Sequence, residues 1–224
     1  MKSILCFAAH PDDLEFSCIA TLKKMADKGY SLIYVIITNG ENGFKLENKN
    51  RTERINIRKK EQELAAKELN VKEVIFLDYR DGFLEYSEKL RKQLALLIQE
   101  YKPEIVFTFD PANNTFDSLN LFHRDHRITA EIVFDALFAA KNKHIYSENS
   151  HKVDEIYFYA SRNPNHVEDI TDLIDFKLNV LKIFESQFSD YERVANYVKN
   201  EISKKSTEYE YSEIFRRLTV RQIL

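Results

Sequence analysis

The sequence predicts an α/β protein built on a mostly parallel central sheet with helices on both faces. Two observations predict it. Short, nearly all-apolar runs alternate along the chain with longer segments of helical spacing, the signature of strands joined by crossover helices. The chain is also long enough, at 224 residues with 44% hydrophobic, to bury a sizeable core without crosslinks.

Ser3 to Ala9 is the first apolar run and reads as a strand buried on both faces. Leu14, Cys18, Leu22 and Met25 then recur at helical spacing through Lys28, and Gly29 falls where a helix C-cap would. Leu32 to Ile37 is a second strand, closed by Thr38-Asn39-Gly40. Thr52 to Leu69 is charged and helical in pattern. Val74 to Leu77 is a third strand, and Lys89 to Tyr101 a helix ended by Pro103. Ile105 to Phe109 is a fourth strand, followed by a polar loop, Asp110 to Asn120, without period. Arg124 to Ala140 returns to helical spacing, Glu155 to Tyr159 is a fifth strand, and the remainder is expected to be mostly helical. With no linker, repeat or low-complexity tract, residues 1–224 are predicted to form one domain.

Composition narrows the function. Charged residues nearly cancel, leaving a net charge of -3, so the basic footprint of a nucleic-acid binder is absent. No apolar stretch reaches the length of a membrane span and no signal-peptidase site follows the first run, so a cytoplasmic protein without membrane insertion is expected. Cys6 and Cys18 are the only cysteines and read as buried, reduced thiols.

In parallel sheets, ligands gather beyond the carboxyl ends of the strands. Three predicted strands end there in polar segments: His10-Pro11-Asp12-Asp13, Thr38-Asn39-Gly40-Glu41-Asn42-Gly43, and the loop running towards His126. His-Pro-Asp-Asp alone could be helix capping, since Asp is a good N-cap and Pro suits a first turn. Its density of titratable groups points further. Imidazole and carboxylate together suit a catalytic metal, and a second carboxylate is what an activated water needs as proton acceptor. His123-Arg124-Asp125-His126 opens a predicted helix, where residues three apart share a face. A lone His-x-x-His pair would read as a solvated loop. Here, half of the six histidines lie in these two segments, while His144, His151 and His166 are expected at the surface.

Ala9-His10-Pro11-Asp12-Asp13-Leu14-Glu15 followed by His123-Arg124-Asp125-His126 resembles the LmbE-like, or PIG-L, family of zinc-dependent N-acetylglucosamine deacetylases. Further stretches extend the resemblance over most of the chain: Thr38-Asn39-Gly40-Glu41, Arg58 and Glu61 with Ala65, Ala66, Leu69 and Val71, Leu77-Asp78 with Asp81-Gly82, Ser186-Gln187, and Glu213-x-Phe215. The resemblance implies a Rossmann-like fold and one Zn2+ held by His10, Asp13 and His126. It implies Asp12 as general base and His123 as acid or oxyanion stabiliser. Glu15 would support the site from behind, and Asp125 would orient a histidine through its distal N–H. Arg58 resembles a residue near the substrate in relatives; a solvated helix face is its alternative. Two histidines and a carboxylate also suit Fe2+.

The implied reaction is removal of acetyl from an N-acetylated sugar or glycoconjugate. The rival within the same chemistry is a zinc amidase acting on a non-sugar or thiol-conjugate amide, to be told apart by a pocket wall expected from residues 40–50 and 110–122. A metal-binding protein without turnover would not need Asp12 and His123, and a nucleotide-binding module would need a Gly-rich loop after the first strand, which is lacking. Homo-oligomerisation is left open. The sequence departs from the family at Arg124, where Pro is common, at Ser17-Cys18-Ile19-Ala20, where glycines are common, and at Phe184, where a His would precede Ser186-Gln187.

Overall fold

The computed structural model describes residues 2–43, 48–113, 123–188, 190–203 and 207–220. Strand β1 (Ser3–Ala8) lies inside a seven-stranded sheet with β2 (Ser31–Thr38), β3 (Glu73–Tyr79), β4 (Ile105–Phe109), β5 (Glu155–Tyr159), β6 (His166–Asp169) and β7 (Ser212–Thr219). The order is β3-β2-β1-β4-β5-β7-β6, parallel from β3 to β5 and antiparallel on both sides of β7. The chain order reverses between β1 and β4. A crevice opens beyond the carboxyl ends at such a switch point.

The double burial of β1 follows from its residues. Ile4, Cys6 and Ala8 feed the core on one face, and Leu5 and Phe7 the core on the other. Truncating a ring so enclosed as Phe7 to Ala would cost about 3–5 kcal/mol. Helices α4 (Glu88–Tyr101) and α5 (Arg124–Lys141) cover one face. On the other lie α1 (Asp13–Ser17), α2 (Ile19–Asp27), α3 (Arg51–Lys67) and α6 (Ile174–Leu181), with α7 (Tyr191–Tyr197) beyond them. Cys6 and Cys18 are both buried free thiols, and burial pushes both up in pKa.

Helix α3 starts at a capping box: Asn50 accepts the Glu53 N–H at 3.0 Å and the Glu53 carboxylate accepts the Asn50 N–H at 2.8 Å. Its sequence is charged all round, yet Arg58, Glu61 and Gln62 are buried. A buried polar face on a helix needs partners, and these three find theirs at the crevice.

The structure corrects three expectations. The segment from Leu14 to Lys28 is not one helix: Cys18, at φ -150°, breaks it into α1 and α2. The Glu213 carboxylate, arriving from β7, takes the Ala20 and Thr21 N–H groups that the break leaves free. The C-terminal part is also not mostly helical, because β6 and β7 form an antiparallel pair there. β6 has only four residues and no alternation, so pairing with β7 decides its conformation rather than local propensity. His166 lies in β6, half-buried against Glu168, and His151 is half-buried on the Pro103 carbonyl. Only His144 is the exposed residue expected. Among the described residues, no helix is long and apolar enough to cross a membrane.

Candidate active site

His10 lies two residues past the end of β1, and its backbone N–H donates to Asp13 Oδ2 at 2.7 Å. His126 comes in from the first turn of α5, its ring stacked on Phe109 at 4.2 Å. Ligand atoms of three side chains thereby converge. His10 Nδ1 is 3.1 Å from His126 Nε2 and 3.6 Å from Asp13 Oδ2, and His126 Nε2 is 3.2 Å from Asp13 Oδ1. Ligands about 2.0–2.1 Å from a tetrahedral metal stand roughly 3.3 Å from one another, so the spacing fits such an ion.

The other nitrogen of His10 faces two carboxylates, Asp81 Oδ1 at 3.1 Å and Asp125 Oδ2 at 3.3 Å. A proton on Nε2 satisfies them and leaves the Nδ1 lone pair turned towards Asp13 and His126. Asp125 is itself fixed by N–H groups from Gly82 at 2.6 Å and Leu84 at 3.2 Å, so the loop after β3 and the start of α5 are tied together behind His10.

Asp12 is the N-cap of α1 and sits at φ +99°, a conformation that a non-glycine residue holds only when its surroundings enforce it. Two α3 side chains do so. Gln62 Oε1 accepts the Asp12 N–H at 3.1 Å. Arg58 Nη2 donates to Asp12 Oδ2 at 3.1 Å and also to the Pro11 carbonyl. Gln62 in turn donates to Glu15 at 2.8 Å. Gly40, at φ +63°, presses on the same corner: a Cβ there would lie 2.9 Å from Pro11 Cδ and 3.0 Å from Arg58 Nε.

Burial raises the Asp12 pKa, opposed by Arg58. Burial also pushes Asp13 up, but the His126 charge and the His10 hydrogen bond outweigh it and hold Asp13 well below the usual range. Burial lowers His10, yet its bonds to Asp125, Asp13 and Asp81 win and raise it well above the ordinary value. Burial and the neighbouring His10 and His126 lower His123. Burial pushes Glu15 up to about 8, against the lowering effect of the Gln62 hydrogen bond.

A cavity of about 300 Å³ opens over these groups, lined by His10, Asp12, Asp13, His123, His126 and Asp81, with Gly40, Gly43 and Gln187 on its rim. His10, Asp12, Asp13, His123 and His126 are thus together, as expected. Asp125 meets His10, whereas Glu15 reaches the site only through Gln62. The solvated-face alternative for Arg58 fails, since it is 1% exposed. Glu61 accepts from the Ser186 N–H and hydroxyl at 2.8 and 2.6 Å, anchoring the segment that carries Gln187. Phe184 is core, with the Arg58 guanidinium 6.0 Å above its ring. Of the expected pocket wall, residues 44–47 and 114–122 lie outside the described residues. The sequence reading gave no role to Asp81 or Gln62. Asp81 could have been found as a carboxylate just past β3 beside a glycine, whereas Gln62 carries no sequence signal.

Three metal-capable side chains at the switch point of a parallel α/β sheet, with the Arg58-bound carboxylate of Asp12 beside them, suit a metal-dependent hydrolase. Residues 5–137 match the family described as PIG-L, GlcNAc-PI de-N-acetylase. The chain is 29% identical over 196 residues to a diacetylchitobiose deacetylase of Thermococcus kodakarensis, covering 85% of this chain and 72% of the relative. It is 28% identical over 200 residues to a probable N-acetyl-alpha-D-glucosaminyl L-malate deacetylase 2 of Bacillus anthracis, covering 84% and 82%. The solved N,N'-diacetylchitobiose deacetylase of Pyrococcus horikoshii superposes with a TM-score of 0.87 at 30% identity, over 97% of this chain and 84% of that one. The chain belongs to the PIG-L family of metal-dependent deacetylases.

Proposed function

We propose that this chain is a cytoplasmic, zinc-dependent deacetylase that removes acetyl from an N-acetylglucosamine-type sugar or its conjugate. His10, Asp13 and His126 are the ligands in this reading, Asp12 the general base, and His123 the group that steadies the oxyanion. The convergence of His10 Nδ1, Asp13 and His126 Nε2 within 3.1–3.6 Å carries it. Zinc, when bound there, would supply Lewis acidity, polarising the amide carbonyl and acidifying a water.

The chain's own residues do the rest. Asp12, held at its strained φ by Gln62 and Arg58, takes the proton from the attacking water and returns it to the departing nitrogen. His123 Nδ1 accepts the Asp125 N–H at 3.2 Å, so the neutral ring carries its proton on Nε2. That N–H is the donor for the developing oxyanion. Asp81 and Asp125 fix the tautomer of His10. Arg58 acts through Asp12 by its Nη2, 3.1 Å from Oδ2, while its Nε and Nη1 have no hydrogen-bond partner.

The test pairs metal analysis with acetate release from a panel of N-acetylated sugars. Asp12→Asn is expected to keep its metal and lose about 10²–10⁴ in turnover. His126→Ala should lose both metal and turnover. Parent-level turnover by Asp12→Asn removes the base assignment, and full metal occupancy in His126→Ala removes that ligand.

A further inference from the structure

The two histidines of the proposed metal site are held by different means. His10 is gripped through its distal nitrogen by Asp81 at 3.1 Å and Asp125 at 3.3 Å. His126 turns its Nε2 to His10 and Asp13, and its Nδ1 meets no hydrogen-bond partner among the described residues. The plane of a histidine ring turns about a broad torsion, so its contacts must set it. For His126 that contact is Phe109, the last residue of β4. The two rings lie 4.2 Å apart and only 19° from parallel.

Phe109 is itself fixed. It is buried and pairs in register with Tyr159, the last residue of β5, whose ring lies 4.5 Å away. β1 and β4 pair as far as Cys6 and Phe107, and past that pair the Phe7 carbonyl accepts the Tyr159 hydroxyl at 2.7 Å. The ends of three adjacent strands thus hold one stack, running Tyr159, Phe109, His126. Turning the imidazole out of its plane would drive its edge into the Phe109 face. The stack also has a preference of charge. An aromatic face is the negative side of the ring's quadrupole, so it favours an imidazole that has given its lone pair to a cation.

Resting on the reading of His126 as a metal ligand, we infer that Phe109 is a positioning residue of the metal site. It sets the ring plane of His126 and favours the metal-bound form of that ring, with Tyr159 as its backing. Phe109 thereby does for His126 what Asp81 and Asp125 do for His10. The two ligands then fail by different substitutions, His10 through loss of a carboxylate and His126 through loss of a flat apolar face.

The test measures Zn2+ affinity, by competition with a chelating indicator, for the parent, Phe109→Leu, Phe109→Tyr and Phe107→Leu. Denaturant unfolding of the metal-free proteins gives their stability alongside. Phe109→Leu should bind Zn2+ about tenfold more weakly, and Phe109→Tyr, which keeps the face, should bind like the parent. Phe107→Leu controls for a loosened core. Phe107 lies two residues earlier on β4, stacked on Tyr157, so its loss should lower stability without lowering affinity. Parent affinity in Phe109→Leu overturns the inference, as does an equal loss in Phe109→Tyr or Phe107→Leu. If the parent binds no Zn2+, the metal reading fails by itself. The positioning of His126 is then decided by its ring protons in the metal-free protein, read by NMR. Signals displaced in the parent by the Phe109 ring current and relaxed in Phe109→Leu uphold it, and signals equal in both overturn it. Should Phe109→Leu not fold, the comparison is with the exposed His144. His126 signals upfield of those of His144 uphold the stack, and coincident ones overturn it.

Discussion

Two of the places where buried charge gathers are built on opposite terms. Around Glu213, one oxygen accepts from Lys177 Nζ at 2.7 Å and the Ala20 N–H at 3.2 Å. The other accepts from the Thr21 N–H at 2.8 Å and the Thr21 hydroxyl at 2.6 Å. Lys177 is fully buried, and each Glu213 oxygen has two donors. Around His10, by contrast, Glu15 Oε2, Arg58 Nε and Nη1, and Gln187 Nε2 are left without partners, Asp12 is strained, and the whole opens onto a cavity. Density of buried charge does not mark a site, because both places have it. Unspent hydrogen-bonding capacity and strain facing open space do.

The largest effect that can break this contrast is on the closed cluster. Lys177→Met removes one partner of a buried ion pair and should cost about 3–5 kcal/mol of stability, read by denaturant unfolding. Turnover of the folded variant should stay at the parent value. A fall in kcat with stability intact would mean that Glu213 and Lys177 belong to the chemistry, and the division between the two places would be lost.

A smaller effect probes the open cluster. Gln62→Leu keeps the volume but frees the Asp12 N–H and the Glu15 carboxyl, at about 1–3 kcal/mol of stability. If Gln62 holds Asp12 in its working conformation, kcat should fall about tenfold while KM and metal content stay put. An unchanged kcat would show that Arg58 and the turn alone suffice, and that the strain at Asp12 needs no support from α3.

The contrast also explains what the sequence made legible. The five parallel strands are written in apolar runs that local pattern reveals, and β4 and β5 start and end where that pattern does. His10, Asp13 and His126 stand out because histidine is scarce and each sits past a strand or at a helix start. What stayed hidden depends on contacts between remote segments. The break at Cys18 makes sense only once Glu213, 193 residues later, caps Ala20. Gln62 looks like one more polar residue on a charged helix until Asp12 and Glu15 are placed against it. β6 and β7 are short strands that exist through their pairing.

The smallest effect concerns a third buried carboxylate, which sharpens the contrast by following the closed pattern. Asp110 accepts from Arg216 at 2.9 and 2.6 Å, from the Ser161 hydroxyl at 2.5 Å and from the Ala112 N–H at 2.8 Å. Burial raises its pKa, but those donors outweigh burial and hold it below its ordinary value of 3.8. A carboxyl depressed in the folded state contributes stability that is fully present above the ordinary value and is lost as pH falls through the folded one. Asp110→Asn forgoes that contribution, so it should be less stable than the parent at neutral pH. The gap should narrow as the pH drops below about 3.8, with the variant showing the shallower acid slope. Parallel slopes for the two proteins would mean that the Arg216 pair gives no preference to the charged carboxyl, and that Asp110 is not of the closed kind.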